Sequence, residues 1–392
     1  MSEYKYIIVG GGMTADSAVN GIGEVDKSGK IAVFSSEADA PYNRPPLSKG
    51  LWKGDPLDSI WRKGDEESRD IFLSTRVLSV NAEEKAVKSS DGKTFRYEKL
   101  LLATGGTPRK LPFGGDGVIY FRTVADYRKL KKLCQVKNDF VVIGGGFIGS
   151  EIAAALAMNG KHVTMIFPED GIGSRAYPGG LSGFLNSYYA GKGVKVISGG
   201  TVDGIESVGE HYKLRTGNGE LISTDGIVAG LGIIPNDEIA KSVNLAVGNG
   251  IVVDEFLRTD NHDIFAAGDV ANFYSKPLDL RMRVEHEDNA NMMGLTAGHN
   301  MAGRSESYDH LPFFYTDMFD LGYEAVGLID SRLQTVEEWE EKYRKGVVYY
   351  LETGKLRGVL LWNTWGKVDV ARDLIKSRRN FSRNELTGLI KD

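Results

Sequence analysis

The sequence has one cysteine, Cys134. A single thiol excludes an internal disulfide and any cysteine pair spaced to hold a metal. Cys134 follows LKKL and has no thiolate-stabilising surroundings, so it reads as packing at a helix end. No apolar run approaches the roughly 18 residues of a membrane span. Acidic and basic residues nearly balance, 53 against 48, so no charge excess points to nucleic acid. No leader is apparent, because MSEYKYIIVGGG runs into a strand at once. A cytoplasmic location is therefore expected. The 392 residues suggest two or three domains at about 150 residues each.

What the sequence does have is glycine, and two clusters of it carry a pattern. Phe140–Ile143 is an apolar run that predicts a buried parallel strand. Gly144, Gly146 and Gly149 follow as G-x-G-x-x-G, and Ile148, Ile152 and Leu156 then recur at helical spacing. The first glycine permits a tight turn. The second lets a pyrophosphate approach the backbone, and the third lets helix pack on strand. The helix start offers N–H groups and a positive dipole end to phosphate. Val163–Phe167 predicts the next strand, and Glu169 stands where a ribose diol would be held. By itself such a fingerprint is also the pattern of an ordinary glycine-rich turn.

The same grammar occurs earlier. Tyr6–Val9 predicts a strand, Gly10, Gly12 and Ala15 form G-x-G-x-x-A, Ile31–Phe34 predicts a second strand, and Glu37 follows. Two dinucleotide sites in one chain suggest that one nucleotide reduces the other. Each half continues alike. A hairpin is expected over Lys85–Tyr97 around Asp91-Gly92, and another over Tyr212–Ile222 around Gly217-Asn218-Gly219. After the first hairpin comes LLLATGGTPR with Thr104, Gly105 and Arg109. After the second comes Ile227–Gly232, ending in GLGIIPN. A helix is expected over Leu181–Lys192. Ile264–Ala267 reads as a buried strand that Gly268-Asp269 ends, where an aspartate suits a sugar or linker hydroxyl. In Pro41–Lys49, PYNRPPLSK, Pro45 and Pro46 stiffen a loop that fixes Arg44 and Lys49. Taken alone, that stretch reads rather as a proline-bearing surface loop with solvated charges. The tail, 311–392, predicts strands at Val347–Leu351 and Leu356–Trp362, a turn at Thr353-Gly354 and a helix over Val368–Ser377.

With these motifs the chain resembles the pyridine nucleotide–disulphide oxidoreductase superfamily over essentially its whole length. The resemblance implies an α/β fold with two Rossmann-like domains and a small C-terminal α+β domain. FAD is expected on 1–112 and 246–310, NADH on 113–245, and an interface role for 311–392. The redox cysteine pair of the disulphide-using members is absent, which excludes their dithiol chemistry. PYNRPPLSKGLW, YEAVGLIDSRLQTV and GVLLWN resemble the ferredoxin and rubredoxin reductases and, more closely, the apoptosis-inducing factors. The long C-terminal insertion and N-terminal targeting segment of the animal factors are missing, so a compact prokaryotic-type relative is expected.

The resemblance also assigns residues. Gly10, Gly12, Ala15, Glu37, Arg44, Thr104, Gly105, Arg109, Gly268 and Asp269 are expected to hold FAD. VEHED at 284–288 brings Glu285 and His286 beside the flavin ring, although a lone histidine also suits a helix cap. Tyr315 takes the place where relatives often carry Trp, and Trp61 matches another nearby aromatic. Lys49 and Glu151 match a charged pair beside the flavin; read alone, Glu151 is also a first-turn acid favoured by the helix dipole. Gly144, Gly146, Phe147, Ile148, Gly149, Glu151, Glu169, Arg175 and Gly232 are expected on NADH, with Phe147 lining the nicotinamide slot. Glu169 favours NADH over NADPH, and Arg175 is the one nearby cation for a phosphate. Three activities follow from the resemblance. One is reduction of an iron–sulfur or rubredoxin partner, for which Arg378, Arg379 and Arg383 would be a docking patch. Another is an NADH-responsive protein with a long-lived charge-transfer complex, a dimer and slow oxidase activity. The last is reduction of a small molecule such as a quinone or oxygen. Monomer and homodimer both remain open.

Overall fold

The computed structural model describes residues 2–62 and 69–390. They divide into two compact units. The first is Met1–Arg44, Asp58–Thr107 and Ile234–Pro312; the second is Pro45–Leu57, Pro108–Ile233 and Phe313–Asp392.

The first unit is built on a five-stranded parallel sheet. Its order across the sheet is Ile264–Ala266, Lys99–Leu102, Tyr6–Val9, Ile31–Phe34 and Arg69–Phe72. The strands Tyr6–Val9 and Ile31–Phe34 are buried throughout, as their unbroken apolar runs require of strands covered on both faces. The expected hairpin forms between Ala86–Ser89 and Thr94–Arg96, in a separate sheet.

Two helices lie against each other in this unit, Met13–Val25 and Glu287–Met301. The second was not legible in the sequence, because Asn, Gly and His interrupt its apolar pattern. Glycines let the backbones touch. A Cβ on Gly294 would fall 2.3 Å from the Thr14 carbonyl oxygen, and one on Gly298 would fall 2.3 Å from that of Ala18. This register makes the helices parallel, with both starts at one end. Gly294 lies level with Thr14, so the second helix begins about six residues earlier. At 1.5 Å per residue its start projects about 9 Å further.

The second unit repeats the plan. Its parallel sheet runs Val118–Tyr120, Gly226–Ala229, Asp139–Ile143, His162–Phe167 and Val194–Ser198. Four strands match the first sheet one for one; only the edge strand beside Gly226–Ala229 has a different origin. The expected helix runs over Gly179–Gly191. Cys134 sits half-buried near the end of the helix Val124–Val136.

The second unit also holds a five-stranded antiparallel sheet, ordered Phe313–Met318, Leu321–Gly327, Lys355–Trp362, Lys345–Glu352 and Gln334–Glu341. Thr353 and Gly354 both have positive φ, +48° and +81°, as a tight two-residue turn between twisted strands requires. The central strands are buried on both faces. Ile375 of the helix Val368–Lys376 comes up to Gly327, while Tyr177 meets Tyr323 and Trp362 edge-on. This double cover explains why the alternation expected of a tail with one wet face is missing. Among the described residues, no helix is long and apolar enough to cross a membrane, and no group of three His, Cys, Asp or Glu is placed to hold a metal.

Candidate functional site

In the first unit the site forms where Tyr6–Val9 gives way to the helix Met13–Val25. Gly10 turns at φ +130°, and a Cβ there would fall 2.1 Å from the Ala103 carbonyl oxygen, so only glycine lets the two strand ends come this close. Gly12 caps the helix and gives no side-chain bond to its N–H groups. The nearest outside atom to a Cβ at Gly12 would be an Arg44 guanidinium nitrogen, 3.9 Å away. Ala15 is fully buried. A cation beside an uncapped helix start fits a pyrophosphate.

Arg44 donates to Glu37, and Tyr42 donates to the other Glu37 oxygen at 2.6 Å. The structure thus joins two residues that the sequence assigned separately, through a tyrosine that it did not assign. Gly268 turns at φ +76° against Thr14, and Asp269 follows. Arg283 ties this turn down, donating to the Asp269 carbonyl at 2.9 Å and pairing with Glu285 at 2.6 Å. His286 is the N-cap of Glu287–Met301, with its side chain not used in capping. Asp288 in the first turn pairs with His310 at 2.6 Å. Thr104 donates to the Asn236 carbonyl at 2.6 Å, and the Asn236 amide returns a bond to Thr104 at 2.8 Å. That hydroxyl ties two chain segments together. Trp61 meets Tyr42 edge-on.

The second unit repeats the cradle. Gly144 turns at φ +114°, and a Cβ there would fall 2.4 Å from the Gly230 carbonyl oxygen. Gly146 is the helix N-cap, again without a side-chain bond, and a Cβ there would meet nothing within 4 Å. Gly149 brings the helix onto the turn. Ile148 is exposed at the helix start. Glu169 lies two residues past the end of the neighbouring strand and pairs with Arg175 at 2.6 Å. Gly232 turns at φ +79° with open space around it, and its carbonyl accepts from the Arg109 N–H at 2.9 Å. The open helix start, the acid at the next strand end and the open turn fit a second dinucleotide.

Beside this cradle lies a buried charge cluster. Lys49 pairs with Glu151 at 2.8 Å, the two side chains being 9% and 3% exposed. The stretch before Lys49, expected as a stiff loop, is a 3₁₀ turn at Pro45–Ser48. Its end directs Ser48 onto the second Glu151 oxygen at 2.5 Å, and Thr316 donates to the first. The ammonium of Lys49 lies 5.2 Å from the centre of the Tyr315 ring. Phe147 is half-exposed and packs on Phe314 and Tyr177, with ring centres 5.3 and 6.4 Å away. Tyr177 donates to the Tyr323 hydroxyl at 2.8 Å. Burial holds both phenols well above their usual range, with Glu151 adding to it at Tyr177 and Tyr177 adding to it at Tyr323, so they stay neutral. Ser48 and Thr316 escaped the sequence reading, since no spacing links positions 48, 151 and 316. Arg379, expected in a docking patch, lies over Phe381 at 4.2 Å.

Residues 4–294 match the family model described as pyridine nucleotide-disulphide oxidoreductase. Residues 297–342 and 337–377 match that for the C-terminal part of apoptosis-inducing factor, mitochondrion-associated. Apoptosis-inducing factor 1, mitochondrial, of Dictyostelium discoideum is 36% identical over 97% of this chain and 79% of its own. Monodehydroascorbate reductase 3 of Arabidopsis thaliana is 32% identical over 92% and 89%. Among solved structures, the covalent putidaredoxin reductase–putidaredoxin complex matches with a TM-score of 0.92 at 27% identity, over 98% of this chain and 95% of that one.

Proposed function

The chain belongs to the pyridine nucleotide-disulphide oxidoreductase family and is an FAD-dependent NAD(P)H oxidoreductase; from that premise we propose that it takes hydride from NADH and passes the electrons to a ferredoxin- or rubredoxin-type protein or to a small molecule. The observation that carries this reading is the second open cradle: two helix starts, at Gly12 and Gly146, are each left uncapped in one chain. The first unit takes FAD and the second takes NADH. When bound, FAD supplies a two-electron acceptor that can release its electrons singly.

The protein's part is mainly to bind and orient. Arg44 and the helix start at Gly12 take the pyrophosphate of FAD. The start of Glu287–Met301, with His286, would favour negative charge on the flavin ring. Gly146 and the helix behind it take the pyrophosphate of NADH, and Glu169 accepts from its ribose hydroxyls. Phe147 lines the nicotinamide slot and excludes water from it. Tyr315 would supply an aromatic wall for the flavin ring, and Lys49 an ammonium. An acceptor of the ferredoxin type is supported by the match to a putidaredoxin reductase.

The match of residues 297–377 to the C-terminal part of apoptosis-inducing factor favours a second reading. In it the NADH-reduced protein itself changes assembly state and recruits a partner. An anaerobic titration with NADH, followed by air or ferredoxin, separates the two. Turnover predicts bleaching of the flavin band and fast recovery with an acceptor. Bleaching that persists in air, with a new dimer, favours the second reading. No bleaching with either NADH or NADPH overturns both.

A further inference from the structure

We propose that Ser48 and Thr316 are positioning residues, which act through Glu151 to hold the Lys49 ammonium in place for hydride transfer. The inference rests on the reading of Lys49 as the cation beside the flavin.

Glu151 lies in the helix Phe147–Met158 and is 3% exposed. A buried carboxylate needs its lone pairs filled, or it takes up a proton instead. Lys49 pairs with it through Oε1 at 2.8 Å. Oε2 needs a donor of its own in a site shut off from bulk water. Ser48 fills Oε2 at 2.5 Å, and Thr316 adds a second donor to Oε1. These hydroxyls are themselves buried, at 6% and 1% exposure. They come from two separate elements, the 3₁₀ turn Pro45–Ser48 and the strand Phe313–Met318. Neither brings a charge, so the cluster keeps one anion facing one cation.

Tyr177, Tyr189 and Tyr323 also sense Glu151. All three are buried neutral phenols, so none competes with Lys49 for the anion. Glu151 is thereby fixed at three points. Its pull on Lys49 then has one direction, and the ammonium keeps its other N–H groups for the ring beside it. Without Ser48 or Thr316 the carboxylate can rotate or take a proton, and Lys49 loses its anchor.

The test uses the FAD-loaded protein. The variants are Thr316→Val, Thr316→Ser and Ser48→Ala, with Lys49→Met and Glu151→Gln for reference. The anaerobic rate of flavin bleaching by NADH is measured against pH by stopped flow. In the absence of NADH, the infrared band of a protonated carboxyl is followed against pH, and the Glu151 band is identified by its loss in Glu151→Gln. Thr316→Val and Ser48→Ala are expected to slow bleaching about tenfold at neutral pH, as loss of a hydrogen bond to a charged group implies. Both should bring in the Glu151 carboxyl band about one pH unit higher than in the unaltered protein. Thr316→Ser, which keeps the hydroxyl, should restore both readings. Should Thr316→Val fail to fold, Ser48→Ala decides alone. Wild-type rate and band profiles in Ser48→Ala and Thr316→Val, with Lys49→Met slow, overturn the inference and leave the reading of Lys49 standing. Unchanged bleaching in Lys49→Met and Glu151→Gln overturns the reading itself.

Discussion

The Arg175 guanidinium lies 2.6 Å from the carboxylate of Glu169, with the arginine 87% exposed and the acid 26%. So exposed an arginine holds its partner weakly and can swing away. The acid keeps its claim on a ribose diol, while a 2′-phosphate would meet a like charge. NADH should therefore be used in preference to NADPH. Glu169→Gln should raise the NADPH-to-NADH ratio of kcat/KM by about tenfold, or about 1.4 kcal/mol. Adding Arg175→Ala to that variant should cancel most of the gain. Steady-state rates with both nucleotides check each step.

Gly149 has no room for a side chain. A Cβ there would fall 2.0 Å from the Gly144 carbonyl oxygen, which is backbone and cannot step aside. Gly149→Ala should push the helix off its turn at a cost of about 1–3 kcal/mol. NADH affinity should fall at least about tenfold while FAD stays bound. Flavin content and NADH titration by fluorescence measure the two effects separately. The equivalent residue of the first fingerprint, Ala15, already carries its Cβ, so the two turns are spaced differently.

Asp26 supplies the pH dependence. It accepts from Lys5 at 2.7 Å and Tyr6 at 2.9 Å, and from the Ser28 and Gly29 N–H groups at 3.1 and 3.0 Å. The Lys5 bond first, then that from Tyr6, holds its carboxyl well below the usual range. A lowered folded-state value gives stability that is fully present above the unfolded value, about 4. That stability fades as pH falls from there toward the folded value. Asp26→Asn should therefore destabilise by about 1 kcal/mol at neutral pH, a modest figure because Lys5 is half-exposed. The gap between variant and unaltered protein should close as pH drops below about 4. Urea midpoints across pH test the sign; a gap that widens in acid would count against this account.

Cys134 should be inert. Burial pushes its thiol up to about 11, so at pH 8 roughly one molecule in a thousand carries the thiolate that reacts. Alkylation by iodoacetamide should be far slower in the folded protein than in urea. Cys134→Ser should keep the full NADH-dependent rate.

Much of this was legible in the sequence because it lies in local patterns. Each fingerprint, with the strands around it and its acid, Glu37 or Glu169, sits within about thirty residues. Glycine at 10, 144 and 149 is dictated by carbonyl oxygens nearby, and that need shows in the sequence as a spacing. The helix Glu287–Met301 was not legible, because its contact with Met13–Val25 runs through glycines that dilute any apolar period. The donors on Glu151 were hidden for another reason. Ser48 and Thr316 approach it from 103 and 165 positions away, and a hydroxyl carries no signature until the fold brings it to a partner.

The two parallel sheets differ in where the edge strand comes from, and that fixes an order in time. The sheet of the second unit closes with strands drawn from 118 to 229, one unbroken piece of chain. The first sheet cannot close until Ile264–Ala266 has been made. During synthesis from the N-terminus, the ribosome therefore releases every strand of the later sheet before the last strand of the earlier one. From its own synthesis until Ile264–Ala266 emerges, about 160 residues later and roughly 8–30 s at typical rates, Lys99–Leu102 is left as an open edge.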